Sequence, residues 1–167
     1  MESKHITNME SQLKERLWKF IIEQNPELMF SLQENYAVEP YLNEKINSIK
    51  PQLVNWKRIG YPESSIDLLA MEVLTSDLKP SRFHFISNIL KNKFPMHYSQ
   101  YKSQGILTYK TISLVELCQV AFDSIRFSEA HFNSKRFKEA ISGIIRKQIL
   151  LNTYHQSMLD LTENNVY

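Results

Sequence analysis

The sequence predicts an all-α protein, a single multihelical domain of about five to seven helices around a buried central helix. Only three glycines occur among the 167 residues, which leaves little material for the positive-φ turns of hairpins and barrels. Apolar residues instead recur every three or four positions along most of the chain. This spacing lines one face of a helix, so helices are favoured over strands.

Length and composition favour one folded domain. A chain of 167 residues with 43% apolar residues can build a sizeable core, and a single core grows comfortably to this size before a chain splits. We expect the helical domain to cover residues 9–158. The polar ends over residues 1–8 and 159–167 are expected to be disordered tails.

The first half of the chain contains four predicted helices. The first covers residues 9–25 and ends before a proline. The second begins at Pro40 and ends near Gly60, which takes the position just after its last turn. A third follows Pro62, and a fourth begins after Ser81, which is a favourable N-cap residue. The segment 27–38 has weak periodicity, and either a short helix or an irregular crossing fits it.

The second half contains a predicted loop and two helices. Residues 95–109 are rich in Tyr, Ser, Gln and Lys and are expected to form the longest loop. Residues 112–125 are apolar almost all round, which predicts the central helix. A last helix is predicted from Ser134 towards Tyr154.

Several classes of protein are disfavoured by composition. The net charge is only +2, far from the strong excess typical of nucleic-acid and membrane-surface proteins. The single cysteine, Cys118, lies in an apolar run and is expected to be a buried, inert thiol. No stretch approaches the roughly 20 apolar residues of a membrane span, and the start lacks a secretory signal pattern. We therefore expect a cytoplasmic protein without a membrane association.

No catalytic site, metal site or cofactor is predicted. The sequence lacks the glycine-rich phosphate loops and the nucleophile elbow that mark common enzymes. Glu72 and Glu116 lie on apolar helices, but a solvated helix face explains them better than a perturbed carboxylate. The histidines never have the close spacing of zinc ligands; they are His5, His84, His97, His131 and His155.

The last helix carries the strongest candidate for a nucleic-acid surface. Five of its basic residues lie close together, with Glu139 as the lone acidic residue among them, and such residues can contact phosphates. The five are Lys135, Arg136, Lys138, Arg146 and Lys147. Against this interpretation, Lys and Arg are ordinary on the outer face of an amphipathic helix, and no recognised helix-turn-helix precedes this one.

A second candidate surface lies in the predicted loop. Tyr98 and Tyr101 stand beside Lys102, and Tyr109 stands beside Lys110. Aromatic rings next to cations can bind bases or a partner protein, although loop tyrosines packed onto a helix are commoner.

Five segments resemble a family of small, uncharacterised helical proteins of Bacteroidetes, a domain of unknown function often encoded on conjugative elements. The segments are residues 17–27, 41–60, 68–94, 132–134 and 141–145. The resemblance implies a helical fold and a link to mobile elements, but no activity or site residue. The chain departs from the family by its basic balance and its continuation over residues 146–167.

These observations predict a non-enzymatic interaction or accessory protein. Its protein partner is unknown, and a homodimer is one option. The alternative is a nucleic-acid-binding protein that uses the basic residues of the last helix.

Overall fold

The computed structural model describes the backbone of residues 2–163 and the side chains of residues 8–162. Within residues 2–163 the chain forms helices and turns but no strand, so the predicted all-α class is confirmed. In this described part of the chain the helices number ten, more than predicted, because several are very short. They are α1 Glu2–Gln24, α2 Pro26–Glu34, α3 Val38–Arg58, α4 Glu63–Thr75, a 3-10 turn Ser76–Leu78, α5 Arg82–Lys93, α6 Pro95–Ser103, α7 Leu107–Leu117, α8 Gln119–Ser124, α9 Glu129–Phe132 and α10 Lys135–Glu163.

The described ends of the chain are helical where tails are predicted. Helix α1 begins at Glu2 and α10 continues to Glu163, so residues 2–8 and 159–163 correct that prediction. Met1 and residues 164–167 lie outside the described residues.

The contacts group the chain into two compact units, Met1–His84 and Phe85–Tyr167. The single domain predicted over residues 9–158 spans both units. The boundary falls in the first turn of α5, and each unit has its own core.

The first unit is built around helices α1, α3 and α4. Their buried side chains are almost entirely aliphatic and recur at helical spacing, which explains why the sequence pattern predicts these helices correctly. The core consists of Met9, Leu13, Leu17, Ile21, Leu42, Ile46, Ile49, Leu53, Ile66, Ala70 and Leu74. Helix α2 confirms the short-helix option for residues 27–38, and Pro26 occupies its first turn.

The second unit contains a cluster of phenylalanines. Phe85 lies in contact distance of four other rings, with centroid separations of 5.0–5.8 Å. Most of these pairs are edge-to-face, the arrangement that aromatic quadrupoles prefer. The other members are Phe122, Phe127, Phe132 and Phe137, which are spaced five residues apart along the chain. Because a five-residue spacing follows neither a helix nor a strand, periodicity does not reveal this core.

The predicted loop over residues 95–109 is wrong, because this segment forms a helical hairpin. Pro95 begins α6, where the missing N–H of proline costs no helical hydrogen bond. Gly105 then adopts a φ of 71°, and the N–H of Ile106 donates to the carbonyl of Tyr101 at 2.9 Å. This glycine-centred turn leads directly into α7.

The prediction of one buried helix over residues 112–125 is also wrong. Helices α7 and α8 meet at Cys118, which caps both of them. Val120 is 81% exposed, so the segment is not buried all round. Apolar composition alone does not distinguish a central helix from two short ones with an exposed edge.

Three predicted helix ends are confirmed. The hydroxyl of Ser81 accepts a hydrogen bond from the N–H of His84 at 3.1 Å, and that of Ser134 accepts one from Phe137 at 3.3 Å. Both are N-cap bonds. Gly60 follows α3 with a φ of 85°, as expected of the residue after the last turn.

Candidate functional site

Helix α10 of the second unit carries the predicted basic residues. Its 29 residues begin after the Ser134 cap. One face of its first half is buried in the unit and includes Phe137, Ile141, Ile145 and Ile149. The opposite side faces solvent along the whole described length, so the helix is amphipathic only as far as Ile149.

The five predicted basic residues do not form one stripe. Lys135, Arg136, Arg146 and Lys147 are exposed, whereas Lys138 is half-buried. At 3.6 residues per turn, Lys138 lies on the same side as the buried Ile145, because the two are seven residues apart. Lys138 therefore does not share one exposed side with Lys135 and Arg146.

Two of the exposed basic residues have partners close by. Glu139 lies beside Lys135 and Arg146 and makes an ion pair and hydrogen bond with Lys93. This bond and the charge of Lys93, followed by those of Arg146 and Lys135, lower the pKa of the Glu139 carboxyl. The guanidinium of Arg146 also lies 5.9 Å from the ring centroid of Phe94. Acidic and aromatic neighbours thus reduce the positive surface available to phosphates.

An apolar surface follows the basic residues on the outward side of α10. Residues 150–162 are all exposed, and several are large and apolar. Leu150 is 64%, Tyr154 63%, Met158 47% and Leu161 60% exposed. We use the term outer face for the exposed residues from position 140 onwards that share one arc of about 80° on this helix. They are Ala140, Gly143, Lys147, Leu150, Tyr154, Met158 and Leu161.

The second unit also contains a groove between α6, α7 and α10. Its volume is about 270 Å³, and its lining combines apolar, amide, phenol and ammonium groups. The lining residues are Tyr101, Tyr109, Lys110, Ser113, Leu114, Leu117, Gln148, Ile149 and Asn152. Three residues of the predicted tyrosine and lysine surface, Tyr101, Tyr109 and Lys110, therefore line one groove on a helical hairpin.

Several polar groups of this groove contact one another. The ammonium of Lys110 lies 5.9 Å from the ring centroid of Tyr101, and the amide of Gln148 donates to Asn152 at 3.0 Å. Burial raises the pKa of the Tyr101 phenol, so this group is neutral at physiological pH. The hydroxyl of Ser113 donates to the carbonyl of Tyr109 at 3.1 Å, so this potential nucleophile is hydrogen-bonded to the backbone of its own helix.

The remaining candidates for chemistry are dispersed. Within the described residues there is no group of three His, Cys, Asp or Glu side chains that could hold a metal ion. Glu72 and Glu116 are exposed, and Glu72 pairs with Lys79 at 3.2 Å. Cys118 is fully buried, and this burial raises the pKa of its thiol to about 12.

A small polar cluster lies where α2 and α5 begin in the first unit. The side-chain amide of Asn25 donates to the carbonyl of Leu78 at 3.1 Å, and the hydroxyl of Ser81 donates to the carbonyl of Gln24. Burial raises the pKa of the neighbouring Glu27 carboxyl. These bonds satisfy backbone carbonyls at helix ends, which gives the cluster a structural role.

The fold and these surfaces define an all-α protein with one helix face that the described chain does not cover. Comparison with protein-family models, with curated proteins and with solved structures gave no match to this chain. The resemblance to the Bacteroidetes family therefore stays a prediction. Among the helices of the described chain, none is both long and apolar enough to cross a membrane.

Sequence reasoning found the basic residues of α10 but missed its exposed apolar ones. Leu150, Tyr154 and Met158 lie four residues apart, which is itself a helical spacing, so in the sequence they look like core positions. A signal was present nonetheless. The buried stripe ends at Ile149, and the next apolar residues, Leu150 and Leu151, lie on the other side of the helix.

Proposed function

We propose that this chain is a non-enzymatic interaction protein that binds a helix of a partner through the outer face of α10. The observation that carries the proposal is the row of large apolar side chains exposed from Leu150 to Leu161. Soluble proteins rarely expose contiguous apolar surface without a partner to cover it. Helical recognition of this kind reads side chains at three- and four-residue steps, which is the spacing of the outer face.

The chemistry elsewhere supports a binding role over a catalytic one. The groove of the second unit offers neutral and cationic groups without an activated nucleophile, and the Cys118 thiol is buried with a raised pKa. The resemblance to a family of mobile elements favours an accessory role in conjugation or a related process. A reduced, buried cysteine fits work in the cytoplasm.

A photo-crosslinking experiment tests this proposal. A photoreactive phenylalanine analogue is placed at Tyr154 on the outer face or, as a control, at Tyr61, which is also exposed but lies in the first unit. We expect illumination in cells to give one or a few discrete adducts from position 154 and none from position 61. Equal yields from both positions, or no adduct from position 154, would overturn the proposal.

A second candidate function is nucleic-acid binding by the same helix. It is favoured by one observation, that Lys135, Arg136, Arg146 and Lys147 all face solvent. Against it, Glu139 lies among these residues and Lys138 is half-buried. A backbone contact by four cations predicts a modest salt dependence, with a slope of log K against log salt of roughly −3 to −4 on duplex DNA.

Fluorescence anisotropy with short DNA and RNA distinguishes the two candidates. If the second holds, affinity falls with salt, and Arg136→Glu or Lys147→Glu weakens binding to all sequences alike. Lys19→Glu, at an exposed position of the first unit, serves as the matched charge control. The absence of binding at low salt would exclude this candidate.

A further inference from the structure

We infer that the outer face of α10 binds the same face of a second copy of this chain, with the two helices antiparallel. This inference rests on the proposed function, since it names the partner whose helix the surface takes. Three properties of the face favour a second copy, namely the order of its side-chain sizes, its charge and its length.

Side-chain size is distributed unevenly along the outer face. Ala140 and Gly143 are small, whereas Met158 and Leu161 near the other end are large and exposed. In an antiparallel pair, Met158 of one copy lies over Gly143 of the other, and Leu161 lies over Ala140. The two residues of each contact lie at equal distances on either side of the point between Leu150 and Leu151. A single register of the two helices therefore makes both contacts.

The space above the glycine is open. A Cβ added at Gly143 would meet nothing within 4 Å, and Gly143 itself is exposed. A glycine inside a helix costs roughly 0.5–1 kcal/mol relative to alanine, which makes it unexpected at an exposed position without a packing role. A second helix that approaches closely provides such a role, because small residues allow interaxial distances near the lower end of about 8–10 Å.

Charge selects the antiparallel orientation. Lys147 and Tyr154 also lie at equal distances on either side of this midpoint. In the antiparallel pair the ammonium of Lys147 in one copy therefore lies over the phenol ring of Tyr154 in the other. A cation over an aromatic face is attractive. In a parallel pair in register, Lys147 would face Lys147 at the centre of the contact, and the two like charges would repel. The face is therefore complementary to itself in one direction only.

The length of the face suits a weak dimer. From Ala140 to Leu161 the helix extends for about 33 Å, and Leu150 and its neighbour Leu151 lie at the two-fold axis. Such a contact is isologous, with the same residues on both copies. One helix pair buries less surface than a standard stable interface, so we expect a dissociation constant on the order of micromolar.

Sedimentation equilibrium of the full chain measures this dimer. We expect Gly143→Gln and Leu150→Glu each to raise the dissociation constant by about tenfold or more, because the first fills the space for Met158 and the second buries a charge. Gly143→Gln replaces a helix-weakening residue in open space, so the monomer keeps its fold. Leu68→Glu, which changes an equally exposed leucine of the first unit, should leave the dissociation constant unchanged.

A disulfide experiment tests the register. In the double variant Ala140→Cys with Leu161→Cys, the antiparallel pairing brings the two new thiols of different copies together, so mild oxidation should give a covalent dimer. Each single variant should stay monomeric in denaturing electrophoresis, since its thiol has no counterpart opposite. The buried Cys118 does not interfere.

The outcomes separate the two proposals. A dimer weakened by Gly143→Gln and crosslinked only in the double variant supports the inference. A chain that stays monomeric up to about millimolar concentration overturns it, as does a dimer that Gly143→Gln leaves intact. If the chain is monomeric but position 154 forms an adduct with a different protein, the second copy is excluded while the proposed function stands. If position 154 forms no adduct either, both fail.

Discussion

At the scale of single residues, Cys118 shows how burial decides chemistry. The thiol is fully buried at the junction of α7 and α8, and desolvation raises its pKa to about 12. Since only the thiolate is a good nucleophile, a buried thiol with this pKa is inert at neutral pH.

We predict that Cys118 does not react with Ellman's reagent at pH 7.5 in the native protein. In denaturant one thiol per chain should react, because only one cysteine is present. An added exposed cysteine, as in Ser99→Cys, gives a positive control for the native reaction. Reaction of the native wild-type protein at the rate of that control would contradict the burial of the thiol.

The carboxyl of Glu27 lowers the stability of the folded protein when it is ionised. Most carboxyl groups of folded proteins have lowered pKa values and do the opposite. Burial raises its pKa, and hydrogen bonds from the backbone and Asn25 and the charge of Arg82 offset this effect only in part. The folded protein therefore holds this proton to a higher pH than the unfolded chain does. The stability from protonated Glu27 is present below the ordinary pKa of glutamate and is lost as pH rises through the folded pKa.

We predict that Glu27→Gln raises the free energy of unfolding at pH 7 and that this gain disappears at pH 4. Glutamine keeps an oxygen acceptor but carries no charge, so it removes the desolvation penalty. Urea denaturation of both proteins at the two pH values measures the effect. Glu15→Gln, at an exposed position of α1, is the control, and a gain at Glu27 that is independent of pH would contradict the assignment.

At the scale of elements, the residues at the helix ends determine how much of the fold can be predicted from the sequence. The turns after α3 and α6 contain glycines with φ of 85° and 71°, whereas those after α2 and α8 contain Tyr36 and Arg126 with φ of 54° and 50°. All four ends share one hydrogen-bond pattern; after α2, for example, the N–H of Ala37 donates to the carbonyl of Leu32 at 2.8 Å. A left-handed tyrosine or arginine carries no signal in the sequence, so these two ends were not predicted.

We predict that Tyr36→Gly raises the free energy of unfolding by about 0.5–1 kcal/mol. Glycine relieves the left-handed strain, although its greater freedom in the unfolded chain offsets part of the gain. Tyr36 is exposed, so the substitution loses little packing. Urea denaturation measures the change, with Gly60→Ala as the reciprocal variant, which should destabilise α3; equal stabilities would show that the turn is unstrained.

The same reasoning explains which elements were found. Helices α1, α3, α4, α5 and α10 have long apolar stripes or serine and glycine caps, and both features can be read from the sequence. Helices α6, α8 and α9 have only nine, six and four residues, too few turns for an apolar stripe to stand out in the sequence. For the candidate site, charge alone predicted the basic residues of α10. The exposed apolar residues could not be predicted, because their exposure depends on which side chains the rest of the chain covers.

At the scale of the whole molecule, the two units rely on different cores. The first is aliphatic and spread along three helices, whereas the second concentrates five phenylalanine rings in one cluster. Phe122 is fully buried there, with its ring centroid 4.8 Å from that of Phe127. Because edge-to-face packing depends on shape, the loss of one ring leaves a cavity that its rigid neighbours fill poorly.

We predict that Phe122→Ala lowers the free energy of unfolding by about 3–5 kcal/mol. Phe30→Ala in α2 removes the same atoms from a side chain that is 41% exposed, and we expect it to cost about 1 kcal/mol. Denaturation in urea, followed by circular dichroism, compares the two variants. Similar losses would mean that Phe122 contributes no more than an exposed ring.

The exposed end of α10 would also determine how quickly the proposed partner associates with it. An isolated helix of about 14 residues barely forms in water, because its first turn fixes several dihedral angles for one hydrogen bond. In this chain that nucleus already exists, since the first half of α10 is anchored by buried side chains such as Ile141 and Ile145. The exposed turns only extend it, one hydrogen bond per residue. A partner of the kind proposed above would therefore meet a helix whose nucleation has already taken place, and the association rate would not be limited by coil-to-helix ordering.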